Sequence, residues 1–304
     1  MNFRILAALL TTLLLWSSAF AAIRGALHDY EPQSLALLRF AIASLVLAVY
    51  ALLTRMRLPQ RADLPAIFAC GLFGISAYHL LLNFGEKTVD AGTAAFLINT
   101  SPLFTALVAR AVLKERLKPA GWLGIAISLA GVLLIVRGRN AAFSFHADAL
   151  LIIGAAFSSS IYIVMHKPYL ARYRPVEFMT YMIWAGTAWL LVFLPQTLTT
   201  VRSAPWRSTA LVAYLGIFPA ALAYVTFTYL MAVMPVSRAV TMLYLVPPVA
   251  TLFGWFFLGE EPTLLALAGG LIALLGVIVV NRWGRVTSAP VVPSAPTAVE
   301  VPAR

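Results

Sequence analysis

Apolar residues run along this chain in long, nearly unbroken blocks, and polar residues collect in the short intervals between them. A bilayer core of about 30 Å is crossed by about 20 helical residues. Blocks of that length fall near 5–23, 34–54, 64–83, 91–113, 119–136, 148–166, 176–195, 208–232, 237–258 and 263–281. The pattern therefore predicts an all-α integral membrane protein with ten transmembrane helices. Residues 286–304 are rich in Pro, Ser, Ala and Val, lack the aromatic and long aliphatic side chains a core needs, and read as a disordered tail. Arg4, the following apolar run and Ala19-Phe20-Ala21 imitate a secretory signal with its cleavage site. The internal repeat requires that segment to stay.

Sliding the chain against itself by 145 positions aligns 71–136 with 216–281 without a gap. Gly71 falls on Gly216, Phe73 on Phe218, Pro102 on Pro247, Glu115 on Glu260, Gly124 on Gly269 and Gly131 on Gly276. Upstream the match is weaker: Pro32 meets Pro175 at an offset of 143, and Ser17-Ser18 meet Ser158-Ser159 at 141. The expected units are 1–136 and 148–281, each of five spans. An odd number of spans turns the second unit over in the membrane, so the repeat is expected to be inverted, an architecture in which two packings of similar energy can alternate.

Composition narrows the functional classes. With 62% hydrophobic and 11% charged residues, most of the surface has to face lipid, and no segment is long enough for a separate soluble domain. The net charge of +11 does not mark a nucleic-acid surface. Arg24, Lys87, Arg137, Arg139, Arg202 and Arg207 fall on one side, Arg39 and Arg110 lie within spans, and the remaining, larger share of Lys and Arg falls on the other side. That bias places both termini in the cytoplasm of a bacterial-type inner membrane. Cys70 is the only cysteine, which excludes an intrachain disulfide and a multi-cysteine metal site. No nucleophile and base, metal cluster or pair of acids gathers at one depth, so neither catalysis nor a cofactor is expected.

Candidate functional positions sit near the middle of the spans. Pro102 and the Pro247-Pro248 pair lie near the midpoints of the fourth and ninth, where a proline removes one backbone hydrogen bond and frees the carbonyls of Ile98, Leu243 and Tyr244. Such kinks are tolerated in lipid where they face protein or a watered cavity. Polar and aromatic side chains share helix faces at that depth: Ser76, His79 and Asn83; Phe96 and Asn99; Tyr224 and Thr228; Thr241 and Tyr244. Trp16 with Phe20, Ser158 with Tyr162, and Tyr181 with Trp184 add aromatic walls. The expected cavity is one of rings, amides and hydroxyls without a fixed formal charge. All the acids fall in loops, the tail or the last turn of a span, which disfavours strict proton antiport through a carboxylate. His79 is the midspan group that titrates near neutrality. Arg39, about 8 Å into its span, has two options, snorkelling to the interface or reaching into a vestibule. Glu115 and Glu260 are expected to cap neighbouring helices, and Ala120, Gly124, Ser128, Gly269 and Ala273 to bring spans five and ten into close backbone contact.

The stretches LLLWSSAFAAIRGAL (13–27), LALLRF (35–40), TSPLFTALVARAVLKERLKPAGWLGI (100–125) and PVSRAVTMLYLVPPVATLFGWFFLGEEPT (235–263), followed by GGLIALLGVIVV, resemble the EamA-type members of the drug/metabolite transporter superfamily. Within it the chain looks most like the YddG-type exporters of amino acids. The resemblance implies a central cavity lined by Trp16, Tyr78, His79, Asn99, Ser158, Tyr162, Tyr224 and Tyr244. It also implies a monomer that passes a small molecule, an amino acid or similar metabolite, by alternating access, with lipid as its surroundings. Lipophilic cations or nucleosides are the alternative cargo. A membrane enzyme or scaffold is the alternative from another class. The small multidrug-resistance branch uses a first-span glutamate for cation and proton exchange, but here Trp16, Ser17 and Ser18 occupy that region.

Overall fold

The computed structural model describes residues 3–113, 118–137, 147–166, 168–169, 172–233 and 243–284. Glu115, Thr241 and the tail 286–304 lie outside the described residues, as do the side chains of Pro102, Arg110 and Tyr244. Among the described residues all regular structure is helical. Six stretches are long and apolar enough to cross a bilayer: Phe3–Ala26, Pro32–Leu53, Arg61–Gly85, Asp148–His166, Pro175–Ser203 and Trp206–Leu230. Shorter apolar helices cover Pro119–Gly131, Val246–Leu258 and Leu267–Val279.

In chain order the helices are α1 (Phe3–Ala26), α2 (Pro32–Leu53), α3 (Leu64–Gly71), α4 (Tyr78–Gly85), α5 (Ala91–Ile98), α6 (Ser101–Leu113) and α7 (Pro119–Arg137). There follow α8 (Ala147–His166), α9 (Pro175–Leu190), α10 (Leu194–Ser203), α11 (Trp206–Ile217), α12 (Ala223–Val233), α13 (Val246–Leu258) and α14 (Leu264–Val279). Local sequence marks their ends. Pro32 and Pro175 open α2 and α9, where a missing N–H is no loss. The Asp90 carboxylate accepts the Thr93 N–H at 2.8 Å to start α5. Gly259, at φ +66°, closes α13 in the left-handed conformation.

Helical breaks recur at equivalent places of the two repeats. A π-helical turn, Leu72–Ala77, joins α3 to α4, and another, Phe218–Leu222, joins α11 to α12, 145 positions on. The expected proline kinks are sharper than bends in a continuous helix. The fourth span stops at Ile98 and restarts at Ser101, with Pro102 in the first turn of the new helix. Pro247 likewise lies in the first turn of α13, after a 3-10 turn at Leu243–Leu245.

Packing between the halves is reciprocal. Helix α1 lies on α11, α12 and α13, while α8 lies on α3, α4, α5 and α6; α2 contacts α9 and α11, and α9 contacts α3. The most extensive helix pair is α7 with α14. It is built on glycines: a Cβ at Gly131 would fall 2.3 Å from the Ala273 nitrogen, one at Gly276 would fall 2.3 Å from the Ser128 nitrogen, and one at Gly124 would fall 2.7 Å from the Gly276 carbonyl oxygen. Backbones meet directly, as the small-residue spacing predicts.

Polarity is distributed opposite to that of a water-soluble protein. Leu53, Phe256 and Leu264 stand outward, each 80% or more exposed, whereas Ser17, Asn83, Glu86, Ser128, Ser160 and Thr180 are fully buried. Outward apolar rings and leucines are stable against lipid and not against water.

Candidate functional site

Serines from α1 and α8 reach backbone carbonyls at the helix breaks. Ser17 Oγ donates to the Val246 carbonyl at 3.4 Å, and Ser160 Oγ donates to the Ser101 carbonyl at 2.8 Å. The two bonds are repeat equivalents if Ser17 matches Ser160 at an offset of 143, the same as for the Pro32 and Pro175 pair. The π-helical turns are served in the same way. Trp16 Nε1 donates to the Pro219 carbonyl at 3.2 Å, and Ser158 Oγ donates to the Phe73 carbonyl at 2.8 Å.

An aromatic cluster assembles around the two π turns. Trp16 meets Tyr224 edge-on at 5.4 Å between ring centroids and Phe227 at 4.9 Å. His79 lies between Phe40 and Tyr78, with each ring centroid 4.5 Å away. Tyr162 stacks on His166 at 4.9 Å and occupies the space beside Gly74, where a Cβ would collide with its ring. Thus Trp16 meets Tyr224, Tyr78 meets His79, and Tyr162 packs beside the π turn at Gly74. Ser158 borders the cluster with its hydroxyl committed to Phe73. Asn99 caps the end of α5, its amide donating to the Ala95 carbonyl at 3.0 Å. Pro247 is buried and Pro248 exposed. Phe96 belongs to the packing core, where its ring fills the space left by Gly270.

The interior carries formal charge, contrary to the expectation of a neutral cavity. Arg39 is 3% exposed and does not snorkel, and Glu86 is fully buried. Arg39 faces the ring of Phe40 at 5.4 Å, but its Nε and one terminal nitrogen have no hydrogen-bond partner. Both Glu86 carboxylate oxygens, both His79 ring nitrogens and the Asn83 amide oxygen are also buried without a partner. Glu86 lies in the turn beyond the span Arg61–Gly85, and burial pushes its carboxyl well above the ordinary carboxylate range, against the opposing fields of Arg39 and Arg24. Sequence reasoning missed Glu86 because a residue beside Lys87 and Asp90 reads as a solvated turn. Its spacing of three from Asn83 and seven from His79 was the available signal.

Beyond this interior, one end of the bundle is tied across the halves. Arg24 Nε is 2.9 Å from Glu260 Oε1, and Glu260 Oε2 accepts the Ala91 N–H at 2.9 Å. Arg24 also donates to the carbonyls of Glu86 and Lys87. Glu260 therefore caps α5 as expected. Arg24, Asp90, Glu260, Glu261 and Thr263 line a recess of about 300 Å³ there. At the opposite end Asp63 accepts from Arg172 at 2.8 Å and from the Tyr173 hydroxyl at 2.6 Å.

A lipid-facing helical bundle whose buried, broken helices surround a charged and aromatic interior defines a membrane protein of the solute-transporting class. The chain matches the EamA-like transporter family over residues 3–137 and again over 147–282. It belongs to that family, and is a multi-pass membrane protein and a transporter rather than an enzyme. It is 42% identical over 276 residues to the uncharacterized transporter YdfC of Bacillus subtilis, covering 90% of each chain. It is 41% identical over 276 residues, 90% of this chain and 92% of the other, to a probable terminal-alkyne amino-acid exporter of Streptantibioticus cattleyicolor. A solved crystal structure superposes with a TM-score of 0.60 over 92% of this chain and 96% of its own at 21% identity, which shows the fold alone.

Proposed function

We propose that this protein exports small amphiphilic metabolites, amino acids first, with aromatic or large apolar side chains favoured. The supporting observation is the aromatic cluster of Trp16, Tyr78, His79, Tyr162 and Tyr224 at the junction of α1, α4, α8 and α12. Ring faces offer an apolar side chain a dry wall and an ammonium group about 0.5–2 kcal/mol each. The amino-acid exporter among the relatives points the same way.

Ten spans in two inverted five-helix units, 1–136 and 148–281, give the mechanism: one unit closes as the other opens around a central site, in a monomer. Trp16, Tyr78, His79, Asn99, Ser158, Tyr162, Tyr224 and Tyr244 line the route, and the breaks at Pro102, Pro247 and Pro248 mark its middle. With both termini in the cytoplasm, the Arg24–Glu260 end faces outward and is closed in this conformation. Transport is facilitated or weakly coupled. Lipophilic cations and nucleosides are the competing cargo, and a buried Arg39 repels the former.

Counterflow from preloaded proteoliposomes tests the proposal. Exchange of labelled leucine or phenylalanine that falls after Trp16→Ala supports it. Exchange of nucleosides or organic cations, with none for any amino acid, refutes it.

A further inference from the structure

Among the described residues eleven buried side-chain atoms lack a partner, and seven of them belong to Arg39, His79, Asn83 and Glu86. Three of these residues form a single stripe. His79, Asn83 and Glu86 stand four and three positions apart, on one face of α4 and its terminal turn. The stripe is about 10 Å long at 1.5 Å per residue. Helix α2, which carries Arg39, packs against α4, and Asn83 Nδ2 donates to the Pro32 carbonyl at the start of α2 at 2.9 Å. Arg39 and Glu86 act on each other electrostatically but form no ion pair. A buried guanidinium and a buried carboxyl thus sit on packed helices, with orphaned polar atoms on both and no ion pair between them.

The second repeat shows that the fold does not need this charge. At the offset of 143, Arg39 corresponds to Met182; at 145, His79, Asn83 and Glu86 correspond to Tyr224, Thr228 and Met231. Met182 is fully buried in the core. The position equivalent to Arg39 is therefore packed with a thioether. Buried charge without a partner is a heavy penalty, and a ligand that supplies the missing partners is what offsets it.

We propose that Arg39 and Glu86 clamp the two ends of a zwitterionic headgroup, Arg39 taking the carboxylate and Glu86 the ammonium, with His79 and Asn83 between them. The assignment rests on the amino-acid export reading and deepens it. Guanidinium and carboxylate match in a two-pronged geometry. A carboxyl left neutral by burial still offers its carbonyl oxygen to an ammonium group, and ionises once that cation is in contact. The side chain of the cargo then projects toward Tyr78, whose ring meets His79 at 4.5 Å. Specificity at the headgroup follows from the orphaned atoms: a cargo that lacks one charge leaves one end of the clamp unpaired.

The test is leucine counterflow in proteoliposomes with three competitors: leucine, 3-methylbutylamine (leucine without its carboxylate) and 4-methylpentanoate (leucine without its ammonium). Wild-type protein should discriminate against each truncated analogue by roughly tenfold or more. Arg39→Gln should abolish the preference for leucine over the amine and Arg39→Lys should keep part of it. Glu86→Gln should abolish the preference over the acid. Leucine exchange with both analogues as potent as leucine, or with both preferences unchanged in folded R39Q and E86Q protein, overturns the clamp and leaves amino-acid export standing. Should the Gln variants fail to fold, the wild-type competitor ratios alone decide. Absence of exchange for every amino acid overturns both readings.

Discussion

Replacing Glu260 by Gln isolates one bond at the end of the bundle that carries Arg24. The substitution keeps the shape of the side chain and one carbonyl oxygen for the Ala91 N–H, but removes the charge that faces Arg24 at 2.9 Å. The two side chains are 24% and 17% exposed, so solvent screens the pair only in part. An exposed ion pair contributes under about 1 kcal/mol, whereas a hydrogen bond to a charged group in a partly buried setting contributes about 1.5–3 kcal/mol. A loss of about 2 kcal/mol is reasonable here, and at 1.4 kcal/mol per factor of ten it raises the open-to-closed ratio roughly 30-fold. The readout is the alkylation rate of a cysteine placed at Asn83, fully buried in the closed state, in a Cys70→Ala background. A membrane-impermeant maleimide applied from the Arg24 face reports the open population as a rate, whatever its starting value. Arg24→Gln should accelerate labelling at least as much, since it also abandons the carbonyls of Glu86 and Lys87. Labelling within twofold of the parent in both folded variants would refute the idea that this pair holds the end shut.

Other expectations concern packing and the chamber. Gly131→Leu forces a side chain into the Ala273 backbone and should lower the melting temperature in detergent steeply, by about 3 kcal/mol or more of stability. Gly259→Ala meets no atom within 4 Å and should cost only the left-handed backbone term, about 1–2 kcal/mol. Trp16→Phe keeps a ring beside Tyr224 but loses the bond to Pro219, so the concentration for half-maximal exchange should rise severalfold, consistent with about 1 kcal/mol. Ser160→Ala leaves the Ser101 carbonyl without that donor and should cost about 1 kcal/mol, measurable by thermal unfolding.

The helical architecture and its lipid setting were legible because hydropathy over a twenty-residue block is a sum over many side chains, and small errors cancel. The seam between α7 and α14 was legible too, since glycines and alanines every four residues have few other uses in lipid. The breaks at Asn99 and Leu243–Leu245 were visible as prolines, although a proline read in isolation suggests a bend and not a restart. Much less of the site could be read. Trp16 packs against Tyr224 and Tyr78 against His79, whereas Asn99 and Ser158 spend their polar atoms on backbone carbonyls. Glu86 escaped, and Arg39 kept two options, because position in a span does not reveal direction: whether a charged side chain turns toward water or toward a neighbouring helix depends on contacts between distant segments.

The glycine seam also bears on how the bundle is made. Helix α7 ends the first repeat, but its most extensive partner, α14, emerges from the ribosome after every other described helix. Until then Gly124 and Gly131 present a bare groove to lipid, with nothing bulky to mate with a wrong neighbour. Final assembly should therefore wait for α14, and a ribosome halted before Leu264 should hold a first half that is inserted, protease-sensitive and not yet closed.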